Sequence, residues 1–250
     1  MGSKIFTGKY DINSINIGSN RKLTLYSLMG ILQDIASRHA FYLGYGYEDM
    51  KKLSLFWVLT AQKIKIYDWA SWHQKLRVET WTTPIRKFYA FREYQFYIED
   101  RVVGECSTKW LILDGKTRKP VRAEYINKDI PYRDDFNLDF STEKLVLPDD
   151  MSFVREYSVY NSDLDMNGHV NNTKYCKWVL NSLPFHCFTE KIIKEFDIQF
   201  LNETFLGDKV ELFRSKNEDI ENSCESIYFK GVRGADKNSL FSSRLLFTTP

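Results

Sequence analysis

Leu164-Asp165-Met166-Asn167-Gly168-His169-Val170-Asn171-Asn172-Thr173-Lys174-Tyr175 is the stretch on which the reading of this chain turns. It places a carboxylate, an amide and an imidazole within five positions, just ahead of an amphipathic segment. If the first part is extended, side chains two apart point the same way, so Asp165, Asn167 and His169 share one face. Behind them Tyr175, Trp178, Val179, Ser182 and Leu183 recur at three- and four-residue spacing, which predicts a helix with one buried stripe. Asn171 or Asn172 suits the N-cap of that helix. Polar side chains are thereby aimed at a helix N-terminus, where N–H groups and the macrodipole stabilise a developing oxyanion. The backbone N–H groups of Val170, Asn171 and Asn172 are the candidate donors. The plainer alternative is a structural turn at Asn167-Gly168 with no chemistry attached.

Working outward, the chain repeats itself. A shift of 147 positions lays Phe153 on Phe6, Tyr157 on Tyr10, Asn167 on Asn20 and Tyr175 on Leu28. Further along the shift becomes 134, with Phe200-Leu201 on Ile66-Tyr67 and Val210 on Leu76. Each half runs from a strand-like segment through a turn into a helix. Strand-length runs rich in aromatic and β-branched residues then follow, at Tyr89–Ile98 and Val102–Leu113, and at Ser226–Val232 and Leu240–Thr248. An antiparallel sheet wrapped around one helix, made twice, is an α+β tandem hot-dog architecture. The expected domains are 1–140 and 150–250, with the polar, acidic stretch Arg133–Asp150 and its single Pro148 as linker.

The repeat also carries a functional expectation. His169 falls opposite Lys22, Asp165 opposite Gly18 and Glu203 opposite Trp69, so the polar constellation exists once. One active site per chain, in the second half, is the consequence. The aromatics of the first half (Phe41, Tyr42, Tyr45, Tyr47, Phe56, Trp57) are then available to shape a pocket, or are ordinary core.

Composition narrows the function classes. The 250 residues include only 12 Gly and 6 Pro and no low-complexity tract, which argues against disorder. No apolar run at either end has the length of a signal peptide or a membrane span. Cys106, Cys176, Cys187 and Cys224 are 70, 11 and 37 positions apart, without the close spacing of a zinc site. No metal is expected, and without a phosphate loop or dinucleotide fingerprint no cofactor either. Net charge is +2, but residues 1–145 hold 23 Lys/Arg against 17 Asp/Glu and residues 146–250 hold 12 against 16. Lys116, Arg118, Lys119 and Arg122 form one basic cluster, and Arg86, Lys87 and Arg92 another. Such asymmetry fits an anionic partner or a plain solvated face. No nucleic-acid motif accompanies it, so nucleic acid is not the expected partner.

The string Leu164–Tyr175, followed by Trp178, resembles the signature of acyl–acyl carrier protein thioesterases. Leu25–Tyr47 with Leu32-Gln33-Asp34 and Gly44-Tyr45-Gly46 is similar to the family's first long helix and following turn. Trp57–Thr60 followed by Trp72, and Arg118–Arg122 after Trp110–Leu113, also resemble its pattern. The likeness runs from residue 5 to 247. It implies the tandem hot-dog fold and hydrolysis of the thioester of fatty acyl–acyl carrier protein, ending chain elongation without a cofactor. It implies a catalytic set of Asp165, Asn167, His169 and Glu203, with Glu203 on a strand facing the helix. In that set Glu203 polarises or deprotonates water, His169 shares the proton transfer, Asn167 positions the carbonyl or water, and Asp165 orients its neighbours. It also implies that the first half shapes the acyl pocket, while Lys116, Arg118, Lys119 and Arg122 dock an acidic carrier protein.

One departure bears on mechanism. Many members carry a cysteine directly after the glutamate, where this chain has Thr204. Cys176 and Cys187 do not match the motif, so direct attack by water is expected in place of a Cys–His nucleophile. Plant members begin with a transit peptide, whereas this chain begins near its fold, so a bacterial-type cytoplasmic enzyme is the expectation. The alternatives are a hot-dog acyl-coenzyme A thioesterase, a hot-dog dehydratase and a non-catalytic acyl-chain-sensing domain. Acyl chain length, and whether the chain forms a homodimer, are open at this stage.

Overall fold

A computed structural model describes residues 4–123, 130–216, 218–220 and 224–249. The chain forms two compact units, Met1–Thr142 and Glu143–Pro250. The first contains β1 (Phe6–Asp11), α1 (Leu25–Tyr42), α2 (Tyr47–Lys52), β2 (Leu55–Ile66), β3 (Lys75–Arg86), β4 (Tyr89–Ile98), β5 (Arg101–Asp114) and β6 (Pro120–Val121). Its strands pair antiparallel in the order β1-β3-β4-β5-β2, with β6 added to β5.

The second unit contains β7 (Met151–Ser158), α3 (Asn172–Asn181), α4 (His186–Thr189), β8 (Ile192–Phe200), β9 (Lys209–Ser215), β10 (Glu218–Ile220), β11 (Cys224–Arg233) and β12 (Ser239–Thr248). Its five-strand order, β7-β9-β11-β12-β8, repeats that of the first, while its added strand β10 lies on β11, the counterpart of β4 and not of β5. Both units are hot-dog folds, and the chain is α+β.

Each long helix forms for the same reasons. Thr24 caps α1 by accepting from Ser27 N–H, and Asn171 caps α3 by accepting from Thr173 N–H. Leu25, Leu28, Leu32, Ile35, Ala36 and His39 put one buried stripe of α1 on its sheet, and Tyr175, Trp178 and Val179 do so for α3.

The correspondence extends to single hydrogen bonds. Tyr10 pairs with Leu76, and Tyr157 with Val210, the positions equated by the two sequence shifts. Short 3-10 turns occupy Ser14–Asn16 and Asn161–Asp163. Isolated bridges join Ile17 to Leu23 and Leu164 to Val170. Between the bridged residues the backbone turns left-handed at Arg21 (φ 58°) and at Gly168 (φ 77°).

The cores differ while conserving volume. On β4 and β5 Phe96 pairs with Gly104, whereas on β11 and β12 Gly231 pairs with Phe241. A Cβ on Gly104 would lie 2.2 Å from the Phe96 ring, and one on Gly231 2.0 Å from the Phe241 ring. Each glycine therefore makes room for the ring on the neighbouring strand.

The stretch expected as linker contains no strand or helix, yet its first part is not loose. Phe136, Leu138 and Phe140 alternate as partly buried positions on the outer face of the first sheet. Phe136 meets Trp81 edge-on at 5.7 Å, Leu138 N–H donates to Glu93 at 3.1 Å, and Phe140 packs under Lys65 at 4.2 Å. Apolar residues spaced two apart give this segment a strand-like attachment without ladder hydrogen bonds.

Candidate active site

The segment Asp165–His169 is a closed turn, not the extended run that would put alternate side chains on one face. Its ends are held by Asp165 N–H to the His169 carbonyl at 2.7 Å, and Gly168 N–H reaches the Asp165 carbonyl at 3.1 Å. The Asp165 carboxylate bends inward and accepts from Asn167 N–H at 2.8 Å and His169 N–H at 3.3 Å. Aspartate closing a turn on amides two and four residues ahead is local geometry that competes with extension. Asp165 is thus the residue that shapes the turn, while Asn167 stands at its exposed tip. His169 and Val170 follow on the side facing the next loop.

Glu203 lies beyond the end of β8, in the loop between β8 and β9, not on a strand. The loop is tied down at many points. Leu201 and Asn202 N–H both donate to the Leu240 carbonyl, at 2.8 and 3.2 Å, and Phe205 N–H donates to Asp208 at 3.0 Å. Arg233 donates to the Glu203 backbone carbonyl through Nη2, to Asp208 through Nε at 3.1 Å and to Asp236 through Nη1 at 2.9 Å. So clamped, the loop brings Glu203 Oε1 to 3.6 Å from His169 Nδ1. Both side chains are mostly enclosed, at 21% and 30% exposure, and Phe205 stands edge-on to the imidazole at 5.1 Å. An acid and an imidazole from two separate segments meet here, partly shielded from water, as proton transfer requires.

The anticipated oxyanion donors are differently placed. Val170 N–H is committed to the Thr204 carbonyl at 2.9 Å, and Asn171 N–H to the Asp163 carbonyl at 2.8 Å. These two bonds build the turn and dock it on the loop, so of the three expected N–H groups only that of Asn172, at the first position of α3, has no backbone partner among the described residues. Asn171 is the cap, as its residue type favours.

Beneath the turn, Tyr175 is ringed edge-on by Trp178, Phe200 and Phe241 at 5.1 to 5.3 Å. Burial pushes its phenol up to about 12, so it stays protonated at neutral pH. Thr204 is fully buried beside it, its hydroxyl facing the Tyr175 phenol. Cys176 is also fully buried, and burial drives its thiol well above the usual range; burial raises Cys187 too. Neither is disposed to form a nucleophilic thiolate.

Lys22, the counterpart of His169, instead donates to the Trp69 carbonyl at 3.4 Å and to Ser71 Oγ at 2.9 Å. The first unit keeps the scaffold and carries no acid–imidazole pair at this place.

Lys116, Arg118 and Lys119 lie on the turn after β5, all exposed, where Asp114 accepts from Lys116 and Thr117 N–H at 3.0 and 2.7 Å. Arg118 covers Phe56 at 4.7 Å, and Arg122 reaches Phe88 on the β3–β4 turn at 5.8 Å. That last contact brings Arg86 and Lys87 to the same end of the sheet, whereas Arg92, expected in their cluster, is buried against His39 and Thr80. Among the described residues, no three His, Cys, Asp or Glu side chains converge as metal ligands, and no helix is long and apolar enough to cross a membrane.

Sequence reasoning missed Arg233, Asp208 and Phe205. Asp208 follows Gly207, whose φ of 83° marks a turn, and Arg233 ends a strand where the corresponding residue of the first unit is buried Ile98. Glu225 and Lys230 charge the same strand, so Arg233 carried no distinct signal for the clamp.

Residues 3–130 match the acyl-ACP thioesterase N-terminal domain family, and residues 147–241 match the acyl-ACP thioesterase C-terminal domain family. The chain is 26% identical over 238 residues to the chloroplastic oleoyl-acyl carrier protein thioesterase 1 of Arabidopsis thaliana, covering 85% of this chain and 64% of the relative. It is 28% identical over 222 residues to the chloroplastic palmitoyl-acyl carrier protein thioesterase of the same plant, covering 80% of this chain and 52% of the relative. The chain thus spans about two-thirds or less of the length of these curated relatives. The crystal structure of an acyl-ACP thioesterase from Bacteroides thetaiotaomicron superposes with a TM-score of 0.85 over 98% of both chains at 21% identity, which establishes the fold.

Proposed function

Because the chain belongs to the acyl-ACP thioesterase family, we propose that it hydrolyses the thioester of a fatty acyl–acyl carrier protein, releasing the free fatty acid and ending chain elongation. The observation that carries this reading is the approach of His169 Nδ1 to Glu203 Oε1 at 3.6 Å, across two segments held by Asp165 and Arg233. That separation is slightly long for a hydrogen bond, and such contacts tighten when substrate excludes water.

In the proposed reaction, water attacks the thioester carbonyl carbon while the His169–Glu203 pair takes its proton. With a proton on Nδ1 directed at Glu203, the outer nitrogen Nε2 is the acceptor. The negative charge gathering on the carbonyl oxygen is met by Asn172 N–H at the start of α3 and by the exposed amide of Asn167. Collapse breaks the C–S bond, and the proton returns to the leaving sulfur of phosphopantetheine. A thiol of pKa roughly 8.5 leaves readily, so no strong acid is required for that step. Buried Thr204, Cys176 and Cys187 support direct hydrolysis over a covalent acyl-enzyme.

The acyl carrier protein is the proposed partner, with the exposed basic end of the first unit (Lys116, Arg118, Lys119, Arg122) as its docking face and the first unit as the acyl pocket. The cytoplasm of a bacterial-type cell is the proposed location. The test is release of thiol from acyl-carrier-protein thioesters and from matched coenzyme A thioesters over a series of chain lengths. Faster turnover of the carrier-protein series supports the reading. Equal or faster turnover of coenzyme A thioesters moves the protein to the acyl-coenzyme A hydrolases, and turnover of neither sinks hydrolysis in favour of acyl-chain sensing.

A further inference from the structure

The backbone bond that docks the Asp165–His169 turn on the Glu203 loop exists in both units. Val170 N–H donates to the Thr204 carbonyl at 2.9 Å, and Leu23 N–H donates to the Ala70 carbonyl at 2.8 Å. The offsets of 147 and 134 that align the halves put Val170 on Leu23, Tyr175 on Leu28 and Thr204 on Ala70. Tyr175, Thr204, Leu28 and Ala70 are all core residues, at most 3% exposed. The first unit therefore carries two apolar side chains at the positions where the second carries a phenol and an aliphatic hydroxyl.

Stability does not call for these two hydroxyls, since the first unit closes the same backbone bond without them. Burying a hydroxyl is unfavourable unless a polar group meets it, and here the Thr204 hydroxyl faces the Tyr175 phenol. The phenol keeps its proton at neutral pH and so remains a donor. Its ring is held edge-on by Trp178, Phe200 and Phe241 at 5.1 to 5.3 Å, which makes it a rigid post standing on α3. The residue that this post meets, Thr204, directly follows Glu203, just as its backbone partner Val170 directly follows His169. A displacement of Thr204 therefore carries Glu203 with it.

We propose that Tyr175 and Thr204 are positioning residues for the reaction, their two hydroxyls meeting beneath the turn to set the approach of Glu203 to His169. The proposal rests on the hydrolase reading of that pair. The backbone bond fixes where the loop docks, as it does in the first unit. The hydroxyl pair fixes how the loop is rotated about that dock, which matters only in the unit that has a glutamate to aim. Arg233 holds the Glu203 carbonyl itself, so the two devices act on consecutive residues.

The experiment compares Tyr175→Phe, Thr204→Val and the double variant of the whole chain, by steady-state hydrolysis of an acyl-carrier-protein thioester and by thermal unfolding. Each single change strands one buried hydroxyl and should lower Tm, whereas the double change removes both partners and should return Tm towards the parent. The kcat should be about tenfold lower in all three, with KM within about twofold, because the aim of Glu203 is lost whichever hydroxyl goes. Thr204→Ser keeps the hydroxyl and should recover most of kcat. A double variant whose kcat returns together with its Tm, or stays within about twofold of the parent, overturns the proposal and leaves the hydroxyls to stability alone. Losses that multiply in the double variant, or a Thr204→Ser chain as slow as Thr204→Val, overturn the pairing. A double variant that does not fold overturns it too, since the apolar residues of the first unit would then be no guide to this site. Failure of the hydrolase reading would appear separately, as absent turnover by the unsubstituted protein.

Discussion

Two turns on the same frame, Gly18–Lys22 and Asp165–His169, show how one fold holds the proposed active site in one unit and lacks it in the other. Both are closed by the same bridge, both turn left-handed at the fourth residue, and both lead into a capped helix. In one the fifth residue is a lysine that bonds to the opposing loop's backbone; in the other it is a histidine that faces that loop's glutamate. The two turns differ in these side chains, while the bridge and the bond from the first residue's N–H to the fifth residue's carbonyl are the same in both.

The comparison is broken most directly at its ends. His169→Ala and Glu203→Gln should each lower kcat by about 10²–10⁴, the range for general acid–base groups, with circular dichroism and Tm nearly unchanged. Lys22→Ala should leave steady-state turnover within about twofold, since it touches no reacting atom. Comparable losses at Lys22 and His169 would mean that the first unit takes part in chemistry.

Arg233 sharpens the contrast, because it clamps the Glu203 loop where the first unit has Ile98. Arg233→Leu should reduce kcat about tenfold, with a smaller change in KM, by loosening Glu203 relative to His169. Added guanidinium ion at low concentration should restore part of kcat. An unchanged kcat, or a loss seen only as unfolding, would reduce the clamp to a structural feature.

At the basic end of the first unit, Lys119→Glu with Arg122→Glu should lower kcat/KM for the carrier-protein substrate a few-fold at low ionic strength. Charges on exposed surfaces are screened beyond about 8–10 Å at physiological salt, so the effect should fade as salt rises. Coenzyme A is anionic as well, and an equal loss with its thioesters would leave a solvated basic face without a docking role.

The smallest effect is conformational. Gly168→Ala forces a side chain into the left-handed region with open space around it, so strain is its main penalty, about 1 kcal/mol by denaturant unfolding. Arg21→Gly, at the matching position, relieves strain but frees the unfolded chain, and its net effect should stay within about 0.5 kcal/mol. A large loss in the second case would show that the two turns are not equivalent.

The duplicated architecture was legible because periodicity and aromatic runs repeat at constant offsets, and those offsets survive as paired residues such as Tyr10–Leu76 and Tyr157–Val210. The meeting of His169 with Glu203 was legible only through family likeness, since no spacing rule connects a turn to a loop more than thirty residues on. Local geometry within the motif was misjudged. Alternation assumes extension, but an aspartate followed by Asn-Gly bonds to its own turn first. The clamp by Arg233 was invisible because its bond goes to a backbone carbonyl, which carries no mark in the sequence. The packed segment 136–140 was overlooked because Arg133, Asp134, Asp135 and Asp139 in and before it hid an apolar residue at every second position.

The exchange of Phe96 and Gly104 for Gly231 and Phe241 has a consequence for the history and engineering of the two halves. A recombinant that carried β4 beside β12 would set two phenylalanines against each other, and one that carried β11 beside β5 would set two glycines across a void. No single substitution converts one arrangement to the other without passing through an overfilled or a hollow core, each unfavourable by a few kcal/mol. Any chimaera built from this chain must cut outside the β4–β5 and β11–β12 hairpins to inherit a working core.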